Sequence, residues 1–352
     1  MCPNMRILAA FAFVLTALAQ TEDAALEASL LDRVKKDHAS FQANHQLGEF
    51  YIRQKRLQNA IPYLERARSI DPAEYNNSYD LALAYLETGK VQQSRQIVEA
   101  MLARKDAAEL HNLLGDVEAA ASHLDAAAQQ YEIAARSDPS EKNLFDLGTF
   151  LVSHQGFDQA RTVFEYGTGR YAQSARLRVG LGVSDYSLGR YDEAVNAVCQ
   201  AVDLDPKDTK ALAFLGKMYD ISPALADEVT KRLARFVEIY PNSSAANYYY
   251  GLSLRKRQLG RRDNLETSGH YLAKAVNLNP KWAEAHFQLA ILYEDRGDSV
   301  RAIGEYEAAA ALDPTEPRTH YRLGMLYRKT GQSALAEREL HLFEMLKNRS
   351  PK

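Results

Sequence analysis

Residues 283–316 read AEAHFQLAILYEDRGDSVRAIGEYEAAAALDPTE. Counting Ala283 as position 1, a large apolar residue and a small one stand together at 7 and 8 (Leu289-Ala290). Tyr293 follows at 11, Gly297 at 15, Ala302 at 20, Tyr306 at 24, Ala309 at 27 and Pro314 at 32. The same order runs from residue 41, with Leu47-Gly48, Tyr51, Ala60, Leu64, Ala67 and Pro72, and from 175, with Leu181-Gly182, Gly189, Ala194, Val198, Ala201 and Pro206. The pair at 7 and 8 recurs nine times, its small members being Gly48, Ala82, Gly115, Gly148, Gly182, Gly216, Gly251, Ala290 and Gly324. Successive spacings are 34, 33, 33, 34, 34, 35, 39 and 34 residues. A fixed period of this length is the signature of a stacked repeat array.

The residue types say what each unit is. Small residues at 8, 20 and 27 let two antiparallel helices approach closely, and large apolar side chains at 7, 11 and 24 fill the space between them. Glycine at 15 (Gly89, Gly189, Gly297, Gly331) suits the turn between the helices. Asp-Pro at 71–72, 138–139, 205–206 and 313–314 stops the second helix. The reading is an all-α solenoid of nine helix pairs over residues 41–350, with units starting at 41, 75, 108, 141, 175, 209, 244, 283 and 317, and residues 351–352 as a tail. The sixth unit lacks the small residue at 20, and the seventh carries five extra residues between its helices, within 255–268.

This pattern resembles the tetratricopeptide repeat family, whose units run Trp-x2-Leu-Gly-x2-Tyr, then Ala-x3-Phe, Ala and Pro. Here the Trp position is filled by other residues, among them His111, His286 and His320. The resemblance implies a right-handed superhelix with the first helix of each unit lining a concave face, and positions 2, 5, 9, 12 and 13 pointing into it. At 5 and 9 the last three units carry Tyr248/Leu252, Phe287/Ile291 and Tyr321/Met325. Exposed aromatic and aliphatic residues in a concave surface are what peptide recognition uses. Arg255, Lys256, Arg328 and Lys329 at 12 and 13, with Arg318 and Arg322 at 2 and 6, are the basic residues flanking this strip. Family members that clamp a C-terminal carboxylate use a basic-x3-basic pair like Arg318-x3-Arg322. The other half of that clamp is absent, because Tyr248 and Leu252 stand where a Lys and an Asn are expected, and Gln288 replaces another Asn.

Outside the repeats, residues 1–19 combine Arg6, an apolar run from Ile7 to Leu18 and Ala17-Leu-Ala19, the marks of a secretory signal peptide. The expectation is an exported chain, periplasmic or secreted, starting near Gln20 and keeping Cys199 alone. The apolar run is shorter than the ~20 residues of a membrane span. Residues 20–40 read as a capping helix on the first unit, with Leu26, Leu30, Leu31, Val34 and His38 at helical spacing. Leu342 and Met345 in the last helix suggest an apolar strip for self-association.

At 352 residues, 46% hydrophobic and 25% charged, the chain is of globular composition, and a net charge of −3 gives no general attraction to nucleic acid. No catalytic, phosphate-loop or metal-ligand signature occurs, so no enzyme, metal or other cofactor is expected. His286 and His320, 34 residues apart, read as packing groups. The functional expectation is a non-enzymatic scaffold holding a partner's peptide or protein segment in the concave groove. The alternative is a structural subunit of a cell-envelope or secretion assembly.

Overall fold

The computed structural model describes residues 23–256 and 262–349. The expected signal peptide, the start of the cap, the 257–261 stretch and the tail at 351–352 lie outside them. Nineteen α-helices and one short 3-10 turn make up the described residues, without a strand. Helix α1 covers 23–36. The first helices of the pairs are α2 (Phe41–Arg53), α4 (Tyr75–Glu87), α6 (Ala108–Ala120), α8 (Glu141–Ser153), α10 (Ala175–Ser187), α12 (Thr209–Lys217), α14 (Ser244–Lys256), α16 (Ala283–Asp295) and α18 (Pro317–Lys329). The second helices are α3 (Leu57–Ile70), α5 (Val91–Leu102), α7 (Leu124–Ser137), α9 (Phe157–Arg170), α11 (Tyr191–Leu204), α13 (Ala226–Ile239), α15 (Arg262–Leu278), α17 (Ser299–Leu312) and α19 (Ser333–Arg349). The first helices begin at the nine residues from which the sequence counts its units.

The ends of these helices follow from local chemistry. Ser40, Glu74, Ser174, Asp208 and Glu316 accept hydrogen bonds from first-turn N–H groups that the helix itself leaves unmet. After the second helices, the carboxylates of Asp71, Asp205 and Asp313 accept from the N–H two residues on, closing the turn that the following proline begins. Position 15 lies in the left-handed region in every unit where it is described except the sixth. Gly89, Gly189, Gly297 and Gly331 have φ of 75° to 82°, and Lys55, Ser122 and Gln155 take φ of 56°, 62° and 62°. The inter-helix turn therefore imposes this conformation on whatever residue occupies it.

Position 8 packs against position 24 of the same unit. A Cβ added to Gly48 would lie 2.4 Å from Leu64 Cδ2, and one on Gly182 would lie 2.5 Å from Val198 Cγ2. Leu64 and Val198 are fully buried, so neither has room to retreat.

The chain divides into two compact units, residues 1–150 and 151–352. In the first, one core runs from α1 to α6 through Leu47, Phe50, Leu64, Leu81, Val98 and Leu113. Leu30 and Val34 of α1 join it, whereas Leu26 and His38 of the expected capping face are exposed. Glu27 of α1 accepts a hydrogen bond from Tyr51 at 2.9 Å and pairs with Arg56 at 2.7 Å. Tyr85 donates in the same way to Glu65, and in the second unit Tyr327 to Glu307. In the last two cases a position-11 tyrosine reaches position 25 of the preceding pair, and Tyr51 reaches α1 in the same way. Helix α1 thus occupies the place of the second helix of a preceding repeat.

The second unit holds the irregular pair. Helix α12 stops after nine residues, and Pro223, at the position where other units turn through positive φ, opens a 3-10 turn before α13. Proline cannot take that conformation. The short helix exposes Gly216 to the next pair, where an added Cβ would meet Tyr249 at 2.3 Å instead of a side chain of α13.

Candidate functional site

A groove of about 440 Å³ opens in the second unit, formed by three consecutive first helices, the turn after α12 and the last helix. Tyr219, just beyond α12, and Arg255 of α14 form one side. Phe287, Gln288 and Ile291 of α16 lie in the middle, and Arg318, Tyr321 and Arg322 of α18 with Phe343 of α19 form the other side. Six of the ten residues picked from the sequence line it: Arg255, Phe287, Ile291, Arg318, Tyr321 and Arg322. Met325, one turn beyond Tyr321, is 40% exposed, and Tyr321 is 44% exposed.

The expected run of exposed anchors is shorter than the sequence suggested. Tyr248 is 5% exposed, Leu252 3% and Phe287 5%. Neighbouring side chains cover them. Tyr248 packs on Trp282, at the start of the next pair, with ring centroids 4.4 Å apart, Phe287 meets Tyr306 of its own pair edge-on at 5.6 Å, and Leu252 lies in the core with Leu289. Burial pushes the Tyr248 phenol well above its ordinary range. In the α18–α19 pair the position-5 and position-9 residues, Tyr321 and Met325, stay open. Tyr321 leans on Phe343 of its own unit, with centroids 5.1 Å apart. The side chain of Lys256 lies outside the described residues.

The arginines differ from the sequence expectation as well, since their charge is already answered within the chain. Arg255 pairs with Asp295 at 3.3 Å, Arg322 with Glu294 at 3.4 Å, and Arg318 with Glu316 at 3.0 Å and Glu284 at 3.3 Å. The Arg318 guanidinium also stands over the Phe287 ring, 5.1 Å from its centroid. Hydrogen bonding to Arg318 holds the Glu316 carboxyl below its usual range. Two polar atoms of the lining are left over: Gln288 Oε1 and Arg255 Nε are both buried without a hydrogen-bond partner among the described residues. The other end of the Gln288 amide donates to Glu284 at 2.8 Å, which fixes its orientation.

Sequence reasoning missed Tyr219, Gln288 as a lining residue, and Phe343. Phe343 stands at position 27, where Ala67, Ala201 and Ala309 stand in other units, and that departure was readable. Tyr219 stands at position 11, a core position in other units, and only the early end of α12 brings it to the groove.

In the first unit several of the equivalent inner positions are polar and find partners within the unit. His45 meets Asn77 at 3.1 Å, Asn112 meets Asp146 at 3.1 Å, and Tyr131 donates to Asp116 at 2.5 Å. Burial raises the carboxyls of Asp80 and Asp116 above the usual range.

His286 and His320 are each tied within their own surroundings. Nδ1 of His286 is 2.6 Å from Glu305 and Nδ1 of His320 is 2.7 Å from Glu339, and their Nε2 atoms face the carbonyls of Pro280 and Pro314 at 3.1 Å. Among the described residues no three His, Cys, Asp or Glu gather as a metal site, and no helix is long and apolar enough to cross a membrane.

Comparison with known proteins follows the same lines. The chain is 26% identical over 314 residues to the protein CTR9 homolog of Arabidopsis thaliana, which covers 80% of this chain and 28% of that protein. It is 22% identical over 290 residues to the BBSome complex member BBS4 of Bos taurus, covering 73% of this chain and 55% of that one. The chain thus spans between about a quarter and about half the length of these curated relatives. In fold it is similar to the C-terminal part of a TPR repeat-containing protein from Cytophaga hutchinsonii, with a TM-score of 0.53 and 15% identity, over 68% of this chain and 97% of that one. Two sequence profiles of the tetratricopeptide repeat match, one over residues 51–117 and the other over 145–209, 257–317 and 287–341, together more than half of the chain. The chain belongs to the tetratricopeptide repeat family, a non-catalytic repeat typical of protein–protein interaction.

Proposed function

We propose that this protein is a scaffold that holds a segment of a partner protein in the groove of its second unit. The observation that supports the reading is convergence. Residues from α14, α16, α18 and α19, with Tyr219 just beyond α12, meet in one cleft, and Tyr321 and Met325 remain open beside it. Large, stiff aromatic side chains provide contact area at low entropic cost. Replacing Tyr321 and Met325 by Ala tests this, because both side chains are exposed and the fold does not depend on them. Partner capture by the double variant is expected to fall at least tenfold while its thermal midpoint stays unchanged. Undiminished capture overturns the site.

The reading of residues 1–19 as a signal peptide supports export. N-terminal sequencing of the protein from its own host is expected to begin near Gln20, and a chain beginning at Met1 overturns export. A second reading, a subunit of a larger assembly, has support from BBS4, a relative named as a member of a complex. Migration of the native protein in an extract at the size of a large complex favours it.

A further inference from the structure

We infer that the pairs α16–α17 and α18–α19 are each closed by a bound proton, held by His286 with Glu305 and by His320 with Glu339. Acid therefore tightens these pairs and rising pH loosens them.

The partners of the two rings require it. Nδ1 of His320 is 2.7 Å from Glu339 on α19, and its Nε2 is 3.1 Å from the carbonyl oxygen of Pro314. His286 repeats this with Glu305 on α17 at 2.6 Å and the carbonyl of Pro280 at 3.1 Å. A carbonyl and a carboxylate only accept, and a neutral imidazole has one N–H to give. An imidazolium serves both acceptors. His320 and Glu339 are 4% and 7% exposed, so water does not make up the difference. Imidazole is a stronger base than a carboxylate, which places the proton on the ring.

The two positions change together along the chain. Histidine stands at position 4 in three units, and position 23 of those units is Gln130, Glu305 and Glu339. The regular units without the histidine have Tyr63, Ile97, Val163 and Ala197 there. His111 meets Gln130 at 2.7 Å. An amide can donate as well as accept, so a neutral ring suffices in that unit.

The charges around the rings leave the proton in place. Facing His320, Asp313 at the end of α17 is held below its usual range by its hydrogen bonds to Thr315 and by the ring. Exposed Arg338 of α19 stands 3.8 Å from the other oxygen of Glu339, Glu316 and Arg318 pair with each other, and Tyr327 is bound to Glu307. Near His286, Lys281 is exposed and Glu284 pairs with Arg318. Without the proton, a bare ring nitrogen and a carboxylate oxygen face each other inside the fold, and they part only if α19 moves from α18. Those two helices carry Phe343 and Tyr321, so the same proton holds one rim of the groove together.

In the unfolded chain histidine loses its proton at about pH 6.5. Above that, folding takes up one proton per pair, and stability falls as pH rises. The test is urea unfolding of the full chain between about pH 6.5 and 8.5, followed by the fluorescence of Trp282, the single tryptophan, at the head of α16. Glu339→Gln gives the last pair the His111–Gln130 arrangement and removes its need for a proton. The unfolding constant of the unaltered protein is expected to rise up to about tenfold more per pH unit than that of the variant. Nitrogen-15 NMR of the unaltered native protein at about pH 7.5 is expected to show both ring nitrogens of His286 and His320 protonated, a reading that no variant has to fold to give. Parallel pH profiles of protein and variant overturn the bound proton, and so does a ring nitrogen of His320 without its proton at that pH.

Discussion

At the scale of single residues, the repeat separates two demands that a glycine can meet. At position 8 the demand is space, and Ala82 and Ala290 meet it as well as glycine does. At position 15 the demand is a left-handed backbone, and Lys55, Ser122 and Gln155 accept it without being glycine. That conformation costs an L-residue about 1–2 kcal/mol, against a gain of about 0.5–1 kcal/mol from the smaller unfolded-state entropy of a non-glycine residue. Lys55→Gly and Gln155→Gly are therefore each expected to stabilise the protein by about 0.5–1 kcal/mol, read as a higher urea midpoint. The groove depends on single residues too. Phe343 replaces a small residue at position 27, and with it the last helix reaches Tyr321.

Among the elements, α1 and α12 depart most from the repeated pair, in opposite ways. Helix α1 is half a repeat doing the work of a whole neighbour. It offers Glu27 to Tyr51 as Glu65 is offered to Tyr85, and it closes the first core with Leu30 and Val34. Truncating Leu30 to Ala removes that closure and is expected to destabilise the first unit by about 2–5 kcal/mol, measured by denaturant unfolding. A cost below about 1 kcal/mol would mean that α1 is not part of the core. The sequence showed this helix by its apolar spacing, but it could not show which of five candidates would be buried, and only Leu30 and Val34 are buried in the first core. Helix α12 was legible as a repeat from Leu215-Gly216 and illegible in length. Its early end comes with Pro223 in place of the left-handed turn residue of other units, and the consequence, Tyr219 in the groove, depends on where the next helices lie.

Across the whole molecule, tyrosine–carboxylate hydrogen bonds tie one helix to another in both units. Tyr51 meets Glu27, Tyr131 meets Asp116, Tyr306 meets Glu294 and Tyr327 meets Glu307. Burial and the carboxylate partner raise these phenols, Tyr51 from 10.0 to about 12 and the others further. A phenol that stays protonated longer in the fold than in the unfolded chain stabilises the fold fully below pH 10. For Tyr51 that contribution is lost between pH 10 and about 12. Helical circular dichroism is expected to hold to about pH 10 and then fall as tyrosinate absorbance rises, the two changes coinciding. Smooth titration of all tyrosines near pH 10 with the helices intact would contradict it. Cys199, its thiol pushed up to about 11 by burial, should likewise resist alkylation at neutral pH until the chain unfolds. By itself the sequence determined the helix pairs, their starts and the absence of catalytic motifs, because a packing rule written nine times at one period leaves a pattern in one dimension. Only the tertiary structure decided which inner-face residues remain open. Tyr248, Phe287 and Tyr321 occupy the same position in successive units, yet Tyr248 is buried under Trp282, Phe287 between Tyr306 and Arg318, and Tyr321 stays open, because burial depends on neighbours that no residue encodes alone. The same holds for charge: Glu316 was readable two residues before Arg318, but Glu284 and Glu294 of α16 come next to Arg318 and Arg322 only once the pairs have stacked.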